Sequence, residues 1–226
     1  MTAGAVVDAL ELPPETRVDQ RVPKKLLLEQ GAVTAADKRQ IQDGLEELRW
    51  VAALKPSNVG VPAYRDEHRE YLEIAVLSAT LRADAKAERL AELIHRAVPY
   101  PVFLAVAGGT RLTLSLGHKR RSQGEAGATV LDGELVAATL TDSEPDGLQS
   151  SLCEGLSLAR QPHADLYQLY QGWIDTLMAL LAARVTGIFA VATSAGQAAM
   201  RREALRDCAR LDTEIARLRA VAMKEK

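Results

Sequence analysis

Between Tyr71 and Arg121 the hydrophobic period changes repeatedly, and few folds can absorb such a pattern. Tyr71–Arg82 (YLEIAVLSATLR) is almost continuously apolar from Ile74 to Leu77, as expected of a strand covered on both faces. Ala85–Ala97 then sets Leu90, Leu93, Ile94 and Ala97 on one side of a helix. Val98-Pro99-Tyr100-Pro101 ends that helix and forces an extended approach to the next strand, because the residue before proline avoids the α region. Val102–Ala107 and Leu112–Leu116 flank Gly108-Gly109, a hairpin signal. Strand, helix, strand, turn and strand need a sheet with helices laid on it. The expected fold class is α+β: a mixed β-sheet with flanking helices, followed by a C-terminal helical hairpin or short coiled coil.

The flanks suggest three regions. Residues 1–33 read as an N-terminal arm: Leu12-Pro13-Pro14 and Val22-Pro23 break helices, and Lys24–Gln30 leaves room for one or two helical turns ended by Gly31. Residues 34–147 read as the α+β core. Thr34-Ala35-Ala36-Asp37 has the form of a capping box, and Ile41, Leu45 and Leu48 follow at helical spacing, so one helix is predicted from Thr34 through Leu54, stopped at Lys55-Pro56. A loop covers Ser57–Arg69, a further strand Glu134–Thr141, and an acidic turn Asp142–Gly147. Residues 148–226 read as helical. A short helix spans Leu152–Leu158, and a long one has Pro162 in its first turn and runs to Arg184, with an apolar stripe from Tyr167 and Tyr170 to Leu180. Gly187 stops it, and Ser194 caps a last helix on which Cys208, Leu211, Ile215 and Leu218 recur by three and four. That seam suits a partner helix or a fold back onto the preceding helix.

Composition removes several functions. The net charge of −2 creates no global field toward nucleic acid or membrane. Two cysteines, Cys153 and Cys208, lie outside any paired-ligand spacing, so no metal site is expected, and no phosphate-loop or dinucleotide fingerprint calls for a cofactor. The lack of a cysteine framework and of a signal peptide fits a cytoplasmic protein, and no apolar run is long enough for a membrane span.

Two groups of residues carry candidate chemistry. Asp66 and Glu73 precede or open the first core strand, where a metal-dependent nuclease of the restriction type keeps its acids. Two residues after Glu73 stands Ala75, not the lysine that such a site uses, so pairing of Glu73 with an arginine or lysine at the strand end is the competing reading. His118-Lys119-Arg120-Arg121, together with Arg111, forms a basic run suited to phosphates or to an acidic partner face. No pair of histidines at metal-binding helical spacing occurs among the four present.

Several phrases resemble a bacterial domain-of-unknown-function family, numbered forty-three ninety-one: Val22-Pro23-Lys24-Lys25, Trp50–Pro56, Glu70–Ile74, His95–Pro101 and Ser115–Arg120. The resemblance runs over most of the chain. It implies a small cytoplasmic companion of helicases and DNA methyltransferases in phage-defence or restriction-like loci, and it carries over no catalytic residue. The expected function is a non-catalytic interaction subunit of such a complex, touching DNA phosphates through the basic run. The alternatives are a divergent metal-dependent nuclease using Asp66 and Glu73, and a homodimer joined through the C-terminal seam.

Overall fold

The computed structural model describes residues 1–124, 127–141, 144, 145 and 147–224. The chain opens with α1 (Ala3–Ala9), β1 (Arg17–Arg21), α2 (Lys24–Gln30) and α3 (Ala35–Arg39). Strand β2 (Leu45–Leu54) leads through the single turn α4 (Pro56–Val59) to a small hairpin, β3 (Tyr64–Arg65) and β4 (Glu70–Tyr71). Then come β5 (Ile74–Leu81), α5 (Ala87–Ala97), β6 (Val102–Gly108) and β7 (Arg111–Leu116). A two-stranded ribbon of β8 (Lys119–Arg121) and β9 (Thr129–Leu131) precedes β10 (Val136–Leu140) and three helices, α6 (Leu148–Leu156), α7 (Leu166–Thr186) and α8 (Ala195–Lys224). The six-stranded sheet has the order β1-β2-β5-β6-β7-β10. Among the described residues only β5 and β6 pair in parallel, and α5 makes the crossover that a parallel pair requires. This is the mixed sheet with flanking helices that the hydrophobic periods predict, with a long helix at its C-terminal end.

Side-chain alternation divides the sheet into two buried faces. On β5, Ala75, Leu77, Ala79 and Leu81 point toward α2 and α5, where Leu27, Leu90, Leu93 and Ile94 wait. Ile74 and Val76 point the other way, with Phe103 and Ala105 of β6 and Leu112, Leu114 and Leu116 of β7, against α1, α6 and α7. Both faces are covered, and so the central strands read as unbroken apolar runs. Residues 1–33 contribute α1, with Val6 and Leu10 buried, the edge strand β1, and α2, whose closing backbone bond at Gly31 runs to Leu27.

The predicted helix from Thr34 to Leu54 is corrected by the structure. The capping box forms, with Thr34 and Asp37 exchanging side-chain and backbone bonds, but α3 ends after Arg39. One wide π-type turn at Gln40–Gly44 follows, and Leu45–Leu54 is a strand paired with β1 on one side and β5 on the other. Irregularities in the β2–β5 register fall between Leu45 and Glu47 and between Trp50 and Ala52. The irregularity after Leu45 adds a residue, so Leu45 and Leu48 bury on one face at a spacing of three, and Val51, three further on, buries on the other. That spacing imitates a helix.

The long helix also begins later than predicted. Pro162 lies upstream of α7, and Asp165 is the cap, its carboxylate accepting from the Gln168 N–H at 2.8 Å. Gly187 ends α7 at φ 75°, and Gly109 turns the β6–β7 hairpin at φ 59°; both need the positive φ that glycine tolerates. The short helix predicted at Leu152–Leu158 is α6, shifted to Leu148–Leu156. Ser194 accepts from the Gln197 N–H at the start of α8. Half of the acidic turn expected at Asp142–Gly147 lies outside the described residues.

Only the first half of α8 packs on the body, through Ala198 and Leu205. Beyond it Leu211, Ile215 and Leu218 are 52%, 44% and 53% exposed, so the seam does not fold back onto α7.

Candidate functional site, a tyrosine–histidine cluster beside a groove

Four of the five tyrosines meet at one end of the sheet. The β3–β4 hairpin supplies Tyr64 and Tyr71, the start of α7 supplies Tyr167 and Tyr170, and the chain leaving β7 supplies His118. Tyr167 is the common neighbour. It stacks on Tyr64 at 5.0 Å and on His118 at 4.8 Å, and meets the Tyr71 ring edge-on at 5.2 Å. The Arg69 guanidinium lies 5.7 Å from the Tyr167 centroid.

Polar atoms in the cluster form a directed chain. Gln171 donates its amide to Asp175 at 2.9 Å, which leaves its carbonyl oxygen to accept from His118 Nε2 at 2.8 Å. With Nε2 protonated, His118 Nδ1 accepts from the Tyr71 hydroxyl at 2.5 Å. Burial lowers the His118 pKa, which favours this neutral tautomer, and burial raises Asp175 and Tyr71. Tyr170 donates to the Val102 carbonyl at 2.7 Å and accepts from the Gly117 N–H at 2.9 Å, tying α7 to the sheet. Arg69 binds Asp132, and this pair holds the hairpin to the segment between β9 and β10.

A groove of about 380 Å³ opens beside His118. Its floor is apolar, from Ile174, Met178 and Leu205, and its rim carries Asp132, Arg202 and Arg206. Arg206 reaches Glu134 at 3.4 Å across it.

The basic run does not form one patch. Lys119 is buried, 2% exposed, and its ammonium donates to the carbonyls of His95 and Val98 at the C-terminal end of α5. Burial pulls its pKa down to about 7, while the two carbonyls and the negative helix end favour the charged form. Arg120 approaches Asp132 at 3.9 Å and Arg121 approaches Glu70 at 3.5 Å. Arg111 stands at the opposite end of β7, exposed and beside the β6–β7 turn.

Asp66 and Glu73 occupy separate settings. Asp66 sits in the β3–β4 turn and accepts from the Tyr64 hydroxyl and from the backbone N–H groups of His68 and Arg69. The tyrosine first, and the backbone donors with it, hold its carboxyl below the usual range. Glu73 lies between β4 and β5 and pairs with Lys55 at 3.2 Å. Among the described residues no three His, Cys, Asp or Glu side chains gather as metal ligands. His95 of α5 and Ser115 of β7 approach to 3.1 Å, but both are wholly buried between that helix and the sheet, out of reach of a substrate.

Sequence reasoning missed Arg69, Asp132, Gln171 and the tyrosines as a group. One signal was present. Aromatics make up only 4% of the chain, yet Tyr167, Tyr170 and Gln171 share one face of a helix start.

No helix among the described residues is long and apolar enough to cross a membrane. No curated protein and no solved structure matches the chain. A family model described as Domain of unknown function (DUF4391) matches residues 10–226, almost the whole chain, from just after α1 through α8. The chain therefore belongs to the Domain of unknown function (DUF4391) family.

Proposed function

We propose that the chain is a non-catalytic accessory subunit of a bacterial anti-phage defence or restriction-like complex. The observation that supports this reading is the second half of α8, an exposed helix whose apolar residues Leu211, Ile215 and Leu218 stand about half open to solvent. A stripe of this kind on a projecting helix suits another protein chain rather than a small substrate. The polar network at the tyrosine cluster is internally paired and serves to hold the hairpin, the sheet and α7 together. A helicase or a DNA methyltransferase is the partner proposed, on the family resemblance alone. Contact with DNA phosphates falls to Arg111, Arg120 and Arg121, which reach solvent, and not to Lys119.

The test is a tagged pull-down from the native host with nuclease treatment, comparing the wild type with Leu211→Asp/Leu218→Asp. Stoichiometric recovery of a helicase or methyltransferase by the wild type, lost in the variant, is expected. Recovery of the protein alone overturns the reading. DNA cleavage with Mg²⁺ that disappears in Glu73→Gln would put the nuclease alternative, with Asp66 and Glu73, in its place. Charge reversal at Arg111, Arg120 and Arg121 tests the phosphate contact without disturbing the buried lysine.

A further inference from the structure

We infer that the second half of α8 pairs in parallel and in register with the same segment of a second copy of this chain. The inference rests on the reading of α8 as a docking element and names its first occupant.

Residue type at each position selects this partner. In heptad order Cys208, Ile215 and Ala222 take position a, and Leu211 and Leu218 take position d. A β-branched residue at a with leucine at d is the combination that favours two parallel strands. Glu214 falls at g and Arg219 at e, five residues on. In a parallel pair each Glu214 therefore faces the Arg219 of the other copy, twice over by symmetry. Glu214 now bonds Arg217 on its own helix at 2.7 Å, on the side away from the seam, so pairing between copies exchanges that bond for one to Arg219 of the second copy. The preceding pair, Asp207 with Asp212, is of like sign, and Asp207 is held by Arg210 of its own helix at 3.3 Å.

Geometry leaves the seam open. At about 100° per residue, the seam centre lies about 110° around the helix from the face of Ala198 and Leu205 that packs on the body. A second helix can lie along Leu211, Ile215 and Leu218 without displacing α7. From Cys208 to Ala222 the seam is about 21 Å long. Two heptads make a short interface, so association is expected to depend on concentration.

Position a brings the two Cys208 side chains face to face, and Cys208 is a free, partly exposed thiol. The experiment uses the full chain with Cys153→Ser, leaving Cys208 as its one thiol, treated with a short bis-maleimide and run in parallel by sedimentation. A concentration-dependent two-chain species that cross-links at Cys208 is expected. Ile215→Asp should abolish both while leaving the circular dichroism of the body unchanged. Glu214→Arg should weaken association several-fold, and Glu214→Arg/Arg219→Glu should restore it. A single-chain species at every concentration overturns the inference, and so does a dimer that fails to cross-link, since its helices would run antiparallel or meet elsewhere. Recovery of a helicase or methyltransferase by a single-chain protein would overturn this inference and leave the proposed function standing. A cross-linked dimer that recovers neither would do the reverse.

Discussion

Arg69 and Asp132 are 63 residues apart in the chain, and Arg69 donates to one oxygen of that carboxylate through Nε at 2.9 Å and Nη2 at 2.6 Å. Asp132 in turn receives its place from the sheet side, its N–H donating to the His118 carbonyl at 2.8 Å. The β3–β4 hairpin, a two-residue ladder too small to hold itself, is thereby fixed to the segment that leads into β10. Arg69→Ala is expected to destabilise the protein by about 2 kcal/mol, because a part-buried carboxylate loses its charged donor. The double variant with Asp132→Ala should cost less than the two single losses added together. A double-mutant cycle in urea measures this, and strict additivity would show that the pair contributes nothing as a pair.

Tyr71→Phe keeps the ring packing and deletes one hydroxyl. His118 Nδ1 then loses its donor, and the Lys119 N–H loses its acceptor at 3.3 Å. Both sites are out of water, so the expected loss is about 1–3 kcal/mol. Tyr64→Phe is a fair control, since its hydroxyl bonds only Asp66 near the surface. Equal midpoints for the two variants would remove Tyr71 from the network described above.

His95 gives the fold a sensitivity to acid. Burial first, and the nearby Lys119 charge second, lower its pKa to about 3 from an ordinary 6.5. Between those values the unfolded chain binds a proton that the folded chain refuses. The stability that neutral His95 permits is complete above pH 6.5 and is lost as pH falls toward 3, at up to about 1.4 kcal/mol per pH unit. His95→Gln retains a partner for Ser115 and cannot titrate. The difference in unfolding free energy between variant and wild type should shift in favour of the variant between pH 6.5 and pH 4. A constant difference across that range would contradict the assignment.

Lys119 works in the opposite window. Burial lowers its pKa to about 7 from 10.5, so between those values the unfolded chain holds the extra proton and stability contributed by this site rises with pH. Lys119→Met should flatten that rise. It should also cost stability near neutrality, because the His95 and Val98 carbonyls lose their donor. Denaturant titrations at pH 7 and pH 9.5 separate the two effects.

Leu211→Asp/Leu218→Asp should leave the melting temperature of the body unchanged. Both side chains are about half exposed, and neither touches the sheet layers. Calorimetry of the variant checks this. A marked fall at concentrations too low for two chains to pair would mean that the seam is packed within the chain.

The legible parts of the sequence share one physical trait. From Tyr71 to Leu116 each strand is covered on both sides, so burial writes itself as continuous apolar runs between proline and glycine breaks. Strand β2 was illegible as a strand because one register irregularity spaced Leu45 and Leu48 like a helix, Val51 followed three residues on from the opposite face, and a real capping box stands just upstream. The basic run misled for another reason. Neighbours in sequence alternate sides, so Lys119 turns inward to the end of α5 while Arg120 turns outward, and Arg121, at the end of the strand, approaches Glu70 near solvent. The tyrosine cluster is assembled from segments about a hundred residues apart, and nothing in local spacing announces such a meeting.

The two faces of the sheet draw on very different lengths of chain. The face under α5 is finished within residues 27–106, whereas the other needs α1 at one end and Ala183 of α7 at the other. During synthesis the first face can close while the second still shows Phe103, Leu114 and their neighbours to water, waiting for some eighty further residues. The nascent chain is therefore most exposed to association with other chains, or with chaperones, in the interval between completion of β7 and arrival of α7.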